Sequence, residues 1–158
     1  MRAFRWLCGI TVAMAVVLIG AIASSYAVSV GEWYDTLLVP AWFRALPHKW
    51  IWCVMYLADI AVLARVLVET RSMEPFALAG FRGWGRCVWC LLFFRAHAIA
   101  WATGYTVLLG VWEIASLCRV RRYDPIAFGI HLWQSGWLAV CIAVCWTVAA
   151  VNGCVFAR

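Results

Sequence analysis

Apolar residues run unbroken from Leu7 to about Val30, directly behind Arg2 and Arg5. A bilayer-crossing helix needs ~20 such residues, more than the core of a usual signal peptide. The run is therefore expected to be retained as a first membrane helix, with Gly20 and Ser24 offering a small-residue face for close helix contact. Four further apolar stretches follow, at about Lys49–Glu69, Phe76–Phe94, Ala96–Cys118 and Ile126–Phe156. A polar linker from Thr70 to Pro75 and a basic turn from Arg119 to Pro125 separate neighbours. The pattern predicts an all-α membrane protein, a five-transmembrane-helix bundle forming one domain over residues 1–158. Its helices fall at about 7–30, 49–69, 76–94, 96–118 and 126–156, with a lid loop over 31–48. Every link but the first is short, which makes consecutive helices antiparallel neighbours.

That first link has the wrong makeup for a solvated loop. It carries Trp33, Tyr34, Leu37, Leu38, Val39, Pro40 and Trp42, where Ser, Asn and Gly would be usual. Such a segment is expected to fold down as a lid over something apolar. Twelve tryptophans also exceed what interface anchoring needs, so some should line an interior.

Charges inside the apolar stretches change the picture further. An isolated charge at bilayer centre costs about 2.5–3.5 kcal/mol, so each needs a partner or water. Counting along antiparallel helices brings Asp59 and Arg86 to one depth and predicts a pair between them. It also predicts a second cluster of Arg65 or Arg82 with Glu113. Interhelical glue, a polar floor receiving acid groups of a ligand, and a proton relay are the readings open for these groups.

With 67% hydrophobic and 13% charged residues, the chain has too much apolar surface for a water-soluble domain. The net charge of +6 is scattered, which suits anionic lipid headgroups and not nucleic acid. Basic residues at 2, 5, 71, 119, 121 and 122, against 44, 49, 95 and 158, favour a cytoplasmic amino terminus. The eight cysteines lie almost all in apolar segments, as small hydrophobes would. Cys87-Val88-Trp89-Cys90 lacks a thioredoxin-like context, and Leu91 stands where haem attachment needs His. His48, His97 and His131 have no metal-ligand spacing, and Ser116 and Ser135 have no His–Asp partners. No cofactor is required by any motif, and the reading leans against an enzyme.

Trp33-Tyr34, Leu37, Pro40 and Trp42, followed by Trp52 and Tyr56 and then Trp89, Phe93-Phe94 and Trp101, resemble the signature of the TspO/translocator protein family. Its members are also called tryptophan-rich sensory proteins and peripheral benzodiazepine receptors. The resemblance implies a receptor or carrier, commonly dimeric, that binds porphyrin, haem or sterols such as cholesterol beneath the first loop. It implies a bacterial envelope membrane or the mitochondrial outer membrane as location. The ligand site it implies comprises Trp33 and Trp42 of the lid, Trp52 and Tyr56 of helix two, Trp89 and Phe93 of helix three, and Trp101 of helix four. Trp133, with Trp137 and Asn152, is the nearest echo of the family pattern in helix five. The chain departs from the pattern at Arg44-Ala45, where the family has Pro-Pro, and at Arg82 and Arg86, where it has Gln and Asn. Asp59 stands at a usually apolar place, and helix five lacks the Tyr of the sterol-recognition pattern. A cavity holding Arg86 would favour carboxylate-bearing ligands such as porphyrins with propionates. Two other functions stand beside this one: an enzyme degrading porphyrin by photo-oxidation, and a regulatory membrane subunit with a vestigial pocket.

Overall fold

A computed structural model describes residues 2–28, 31–70 and 73–153. The described chain is helical throughout: α1 (Arg2–Ala27), α2 (Glu32–Thr36), α3 (Ala41–Arg44), α4 (His48–Thr70), α5 (Met73–Cys90), α6 (Ile99–Tyr123) and α7 (Pro125–Val151). A π-helical turn, Leu91–Arg95, continues α5. Three helices, over Ala3–Tyr26, His48–Glu69 and Pro125–Val151, are long and apolar enough to cross a membrane, which marks a membrane protein. Their outward faces are apolar, as at Leu7, Leu57 and Leu132.

The five long helices close a ring in the order α1, α4, α7, α6, α5, with α4 also touching α5 across it. Sequence dictates the closest crossings. Gly9 of α1 lies so near α4 that a Cβ there would meet Val68 Cγ2 at 2.7 Å. Between α1 and α5, the Cys87 thiol bonds the Ser24 hydroxyl at 2.9 Å and the Gly20 carbonyl at 3.1 Å, so the small-residue face expected on the first helix meets α5. Ala13, Val17, Val62, Leu63, Val66, Val120 and Ala127 fill one end of the interior. Leu37, Phe93, Ile99, Ala102, Val144 and Val148 fill the lid end.

Several boundaries differ from the sequence reading, each for a local reason. The basic turn expected at 119–125 is helical up to Tyr123, and Asp124 alone makes the corner. Its carboxylate accepts from Ile126 N at 2.8 Å and Ala127 N at 2.9 Å, capping α7, whose first residue is Pro125. That compact cap replaces a loop. Burial works against the Asp124 carboxylate, but the Ala127 amide and the Arg65 guanidinium outweigh it and hold the carboxyl below its usual range. The third helix begins at Met73 within the expected linker and ends in the π turn, where Ala96 N bonds Leu91 O at 2.9 Å. His97 then takes φ 52°, and α6 begins at Ile99, not Ala96. The lid segment is not a plain loop, since it contains α2 and α3. Residues 29–30 of the expected first helix, 154–156 of the expected fifth, the linker residues 71–72, Cys154, and the orientation charges Arg71 and Arg158 lie outside the described residues.

Candidate functional site

The lid is fastened at its middle. Asn152, the C-cap of α7, accepts from Leu38 N at 3.0 Å and donates to Leu38 O at 3.1 Å. Arg44 Nη2 donates to Leu37 O at 2.9 Å, and its guanidinium lies 5.7 Å from the Tyr34 ring centre. Burial raises the Tyr34 hydroxyl above its ordinary value, with Arg44 opposing and Asp35 adding, so it stays a neutral phenol. Trp33 stacks flat on His97 at 4.0 Å and meets Phe93 edge-on at 5.6 Å. The π turn makes this possible, because the extra residue in its backbone ring re-aims Phe93 and Phe94 toward the lid.

Beneath the lid lies a cavity of about 410 Å³, within the ~300–1,000 Å³ usual for small-molecule sites. Its roof includes Tyr34, Val39, Phe43 and Arg44. Trp52 and Met55 of α4, Trp89 of α5, Phe93 and Phe94 of the π turn, and Trp137, Leu138, Cys141 and Cys145 of α7 form its walls. Trp89 and Phe93 are stacked at 5.0 Å with planes 15° apart, and Phe43 and Trp137 lie nearly parallel at 6.2 Å. Each pair is stacked on itself, so a flat ligand would meet an outer ring face or an edge and not enter between the rings. The Trp137 Nε1–H is buried without a protein acceptor.

Arg86 and Gln134 reach the cavity from below and belong to a buried polar network. Arg86 Nη1 donates to Asp59 Oδ2 at 2.8 Å, the pair expected from helix counting. Arg82 bonds Asp59 Oδ1 and His131 Nδ1, Gln134 Oε1 at 2.9 Å, and Glu113 Oε1 at 3.2 Å. Gln134 Nε2 donates to Asp59 Oδ1 at 2.9 Å and Met55 O at 3.0 Å, and Ser135 donates to Glu113 Oε1 at 2.6 Å. The two clusters expected from sequence are thus one, joined by Arg82. Arg65 stands apart from Glu113 and pairs with Asp124 at 2.8 Å. Two guanidiniums face two carboxylates, so the formal charges of the floor sum to zero, and the Arg86 charge expected to favour a ligand carboxylate is balanced by Asp59 and Glu113 together with that of Arg82.

Of the residues expected at a ligand site, Trp52, Arg86, Trp89 and Phe93 line this cavity. Trp33 supports the site from behind Phe93. Tyr56 lies 6.1 Å from the Trp52 ring but borders a separate small recess beside Asp59. Trp42, Trp101 and Trp133 lie away from the cavity as well. Trp42 is 56% exposed on the outer side of α3, where Phe43 takes the inward position. Trp101 is 76% exposed, because the inward stripe of α6 runs through Ala102, Thr106, Leu109, Glu113 and Ser116. Trp133 is 54% exposed, because the buried stripe of α7 passes through His131 and Gln134. Trp137, one turn beyond Gln134, is the tryptophan that this helix gives the cavity. Polar His131 and Gln134, within a long apolar stretch, are the signal that could have found that face.

No protein-family model matches the chain, and no curated protein matches it.

Proposed function

We propose that all five long helices cross the bilayer and that the chain is a divergent TspO/translocator-type receptor or carrier. Its ligand is a planar lipophile, a porphyrin or haem foremost and a sterol second, held under the first loop. The observation that carries the reading is the roofed cavity whose walls present paired, near-parallel aromatic faces, Trp89 on Phe93 and Phe43 on Trp137. Each such face adds roughly 0.5–1.5 kcal/mol to a stacked ring beyond burial. The unpartnered Trp137 N–H supplies a donor for a ligand acceptor, and Arg86 and Gln134 supply polar contacts at the far end. A vestigial pocket would be expected to collapse under the packing density of a helix bundle; about 410 Å³ of space supports retention of a ligand.

Titration with protoporphyrin in detergent, read by tryptophan fluorescence, tests this. Saturable quenching is expected, weakened tenfold or more by Trp89→Ala and by Trp137→Ala, and unchanged in affinity by Trp101→Ala. Equal affinity in all four proteins would remove the cavity as the binding place.

A further inference from the structure

The floor of the cavity constrains what charge a ligand can bring. Among the described residues its ions are Arg82, Asp59 of α4 and Glu113 of α6, all buried, and Arg86, which like Arg82 lies on α5 and is 13% exposed. His131 on α7 faces them, with Arg82 donating to its Nδ1 and its Nε2 3.6 Å from Glu113 Oε1. Because a guanidinium only donates, the contact with Arg82 assigns His131 as the neutral imidazole with its proton on Nε2. The charges therefore sum to zero. A ligand carboxylate placed against Arg86 would leave one uncompensated negative charge in a low-dielectric interior, which is strongly unfavourable.

One atom can relieve it. Both Asp59 oxygens already accept, Oδ1 from Arg82 and Gln134 and Oδ2 from Arg86. Protonating His131 Nδ1 would break its bond with Arg82. Glu113 Oε1 holds Arg82 and Ser135, whereas Glu113 Oε2 is buried with no partner. A proton can settle there and leave every existing bond intact.

We infer that the cavity takes an acidic ligand together with one proton, the ligand carboxylate meeting Arg86 and the proton moving from water onto Glu113 Oε2. The inference rests on the proposed ligand site and adds its charge rule: one anion in, one proton in, with no net change at the floor. The proton becomes the hydrogen of a neutral carboxylic acid on Glu113, and no other bond forms or breaks.

The test compares pyrenebutyric acid, a planar aromatic with one carboxylate, with its methyl ester, which stacks alike but carries no acid, between about pH 6 and pH 8. Linkage makes the acid bind about tenfold more weakly per pH unit of increase, while the ester stays flat. Calorimetry of the unaltered protein in two buffers of different ionisation heat should count about one proton taken up per acid ligand and none per ester. Glu113→Gln fixes the floor in the form that carries one positive charge, so acid binding should lose its pH dependence and be about tenfold or more tighter than the parent at the upper pH. Should that variant fail to fold, the proton count of the parent decides. Acid binding that is independent of pH and draws no proton overturns the inference, as does binding of the ester alone. Binding of neither probe overturns the ligand site itself, and the coupling with it.

Discussion

Asp59 is the residue whose removal the floor should tolerate least. Its carboxylate receives two guanidiniums and one amide: Arg82 and Gln134 on Oδ1, Arg86 on Oδ2 at 2.8 Å. Two scales compete for the cost of Asp59→Asn. Interhelical hydrogen bonds between neutral groups in membrane proteins average about 0.6 kcal/mol, because the membrane-embedded unfolded state also finds partners. Breaking a buried ion pair from one side costs about 3–5 kcal/mol, most of it the charge left behind. Here two cations would be left with Glu113 alone, and Asp59 and Arg82 are 5% and 3% exposed. The charge term therefore wins, and Asp59→Asn should lose about 3–5 kcal/mol of a total near 5–15 kcal/mol. Arg86→Gln should cost a similar amount, for the mirror reason. The double replacement leaves Arg82 balanced by Glu113, so it should be more stable than either single variant, with a coupling of roughly 2 kcal/mol or more. Denaturant unfolding in detergent micelles, followed by tryptophan fluorescence, measures all four proteins. Single losses near 0.6 kcal/mol that simply add in the double variant would refute charge balance as what holds the floor.

Other perturbations separate the remaining parts of the structure. Gly9→Ala should destabilise by about 1–3 kcal/mol in the same assay, since its Cβ would sit 2.7 Å from Val68 Cγ2; Gly20→Ala, with nothing within 4 Å, should be silent or mildly stabilising. Asn152→Ala removes both side-chain bonds to the Leu38 backbone, so stability should drop by about 1–2 kcal/mol. Amide exchange at Leu38 should accelerate with it, and protection equal to the parent's would exclude Asn152 as the lid fastening. Asp124→Asn keeps a capping side chain but loses the charge facing Arg65. Because the native carboxyl titrates below its unfolded value, its contribution is complete above about pH 4 and is lost as pH falls through the depressed native value. The stability gap between parent and variant, about 1 kcal/mol at neutral pH, should therefore close on acidification; a gap that widens would reverse the sign of the argument.

Long apolar runs made the helices readable, because a span of lipid-facing backbone has few alternatives to a helix. Pairing Asp59 with Arg86 was readable as well, since antiparallel neighbours share depth at their midpoints. What the pattern hid was rotation. Residue type alone gives no contrast between inward and outward indoles, so Trp101 and Trp133 could not be told from Trp89 and Trp137. Nor does a sequence reveal a π turn, which shifts Phe93 and Phe94 by one residue relative to an α-helix. The network's second half was missed for a related reason: Gln134 and Ser135 are neutral, and neutral polar residues raise no alarm in a charge count.

The polar residues nevertheless encode that rotation. Along α7 one line of interior positions runs through Ala127, His131, Gln134, Leu138, Cys141, Cys145 and Val148, preceded by the Asp124 cap, followed by Asn152 and flanked by Trp137, Val144 and Ala149. The spacing along this line alternates between three and four residues throughout, the seam of a helix packed along its length against neighbours. On α6 the same alternation runs through Ala102, Thr106, Leu109, Glu113, Ser116 and Val120, and on α4 through Met55, Asp59, Val62 and Val66. Arg82, Arg86, Trp89 and Phe93 continue it from α5 into the π turn. Asp59, Arg82, Glu113 and Gln134 are buried and bonded to one another on these lines, so they fix the phase of their helices where hydropathy cannot. Once that phase is set, Trp89 and Trp137 fall inside, and Trp101 and Trp133 fall outside. The floor and the aromatic walls are therefore parts of one register, and a change that turns a helix to spare a charge would also carry an indole out of the cavity.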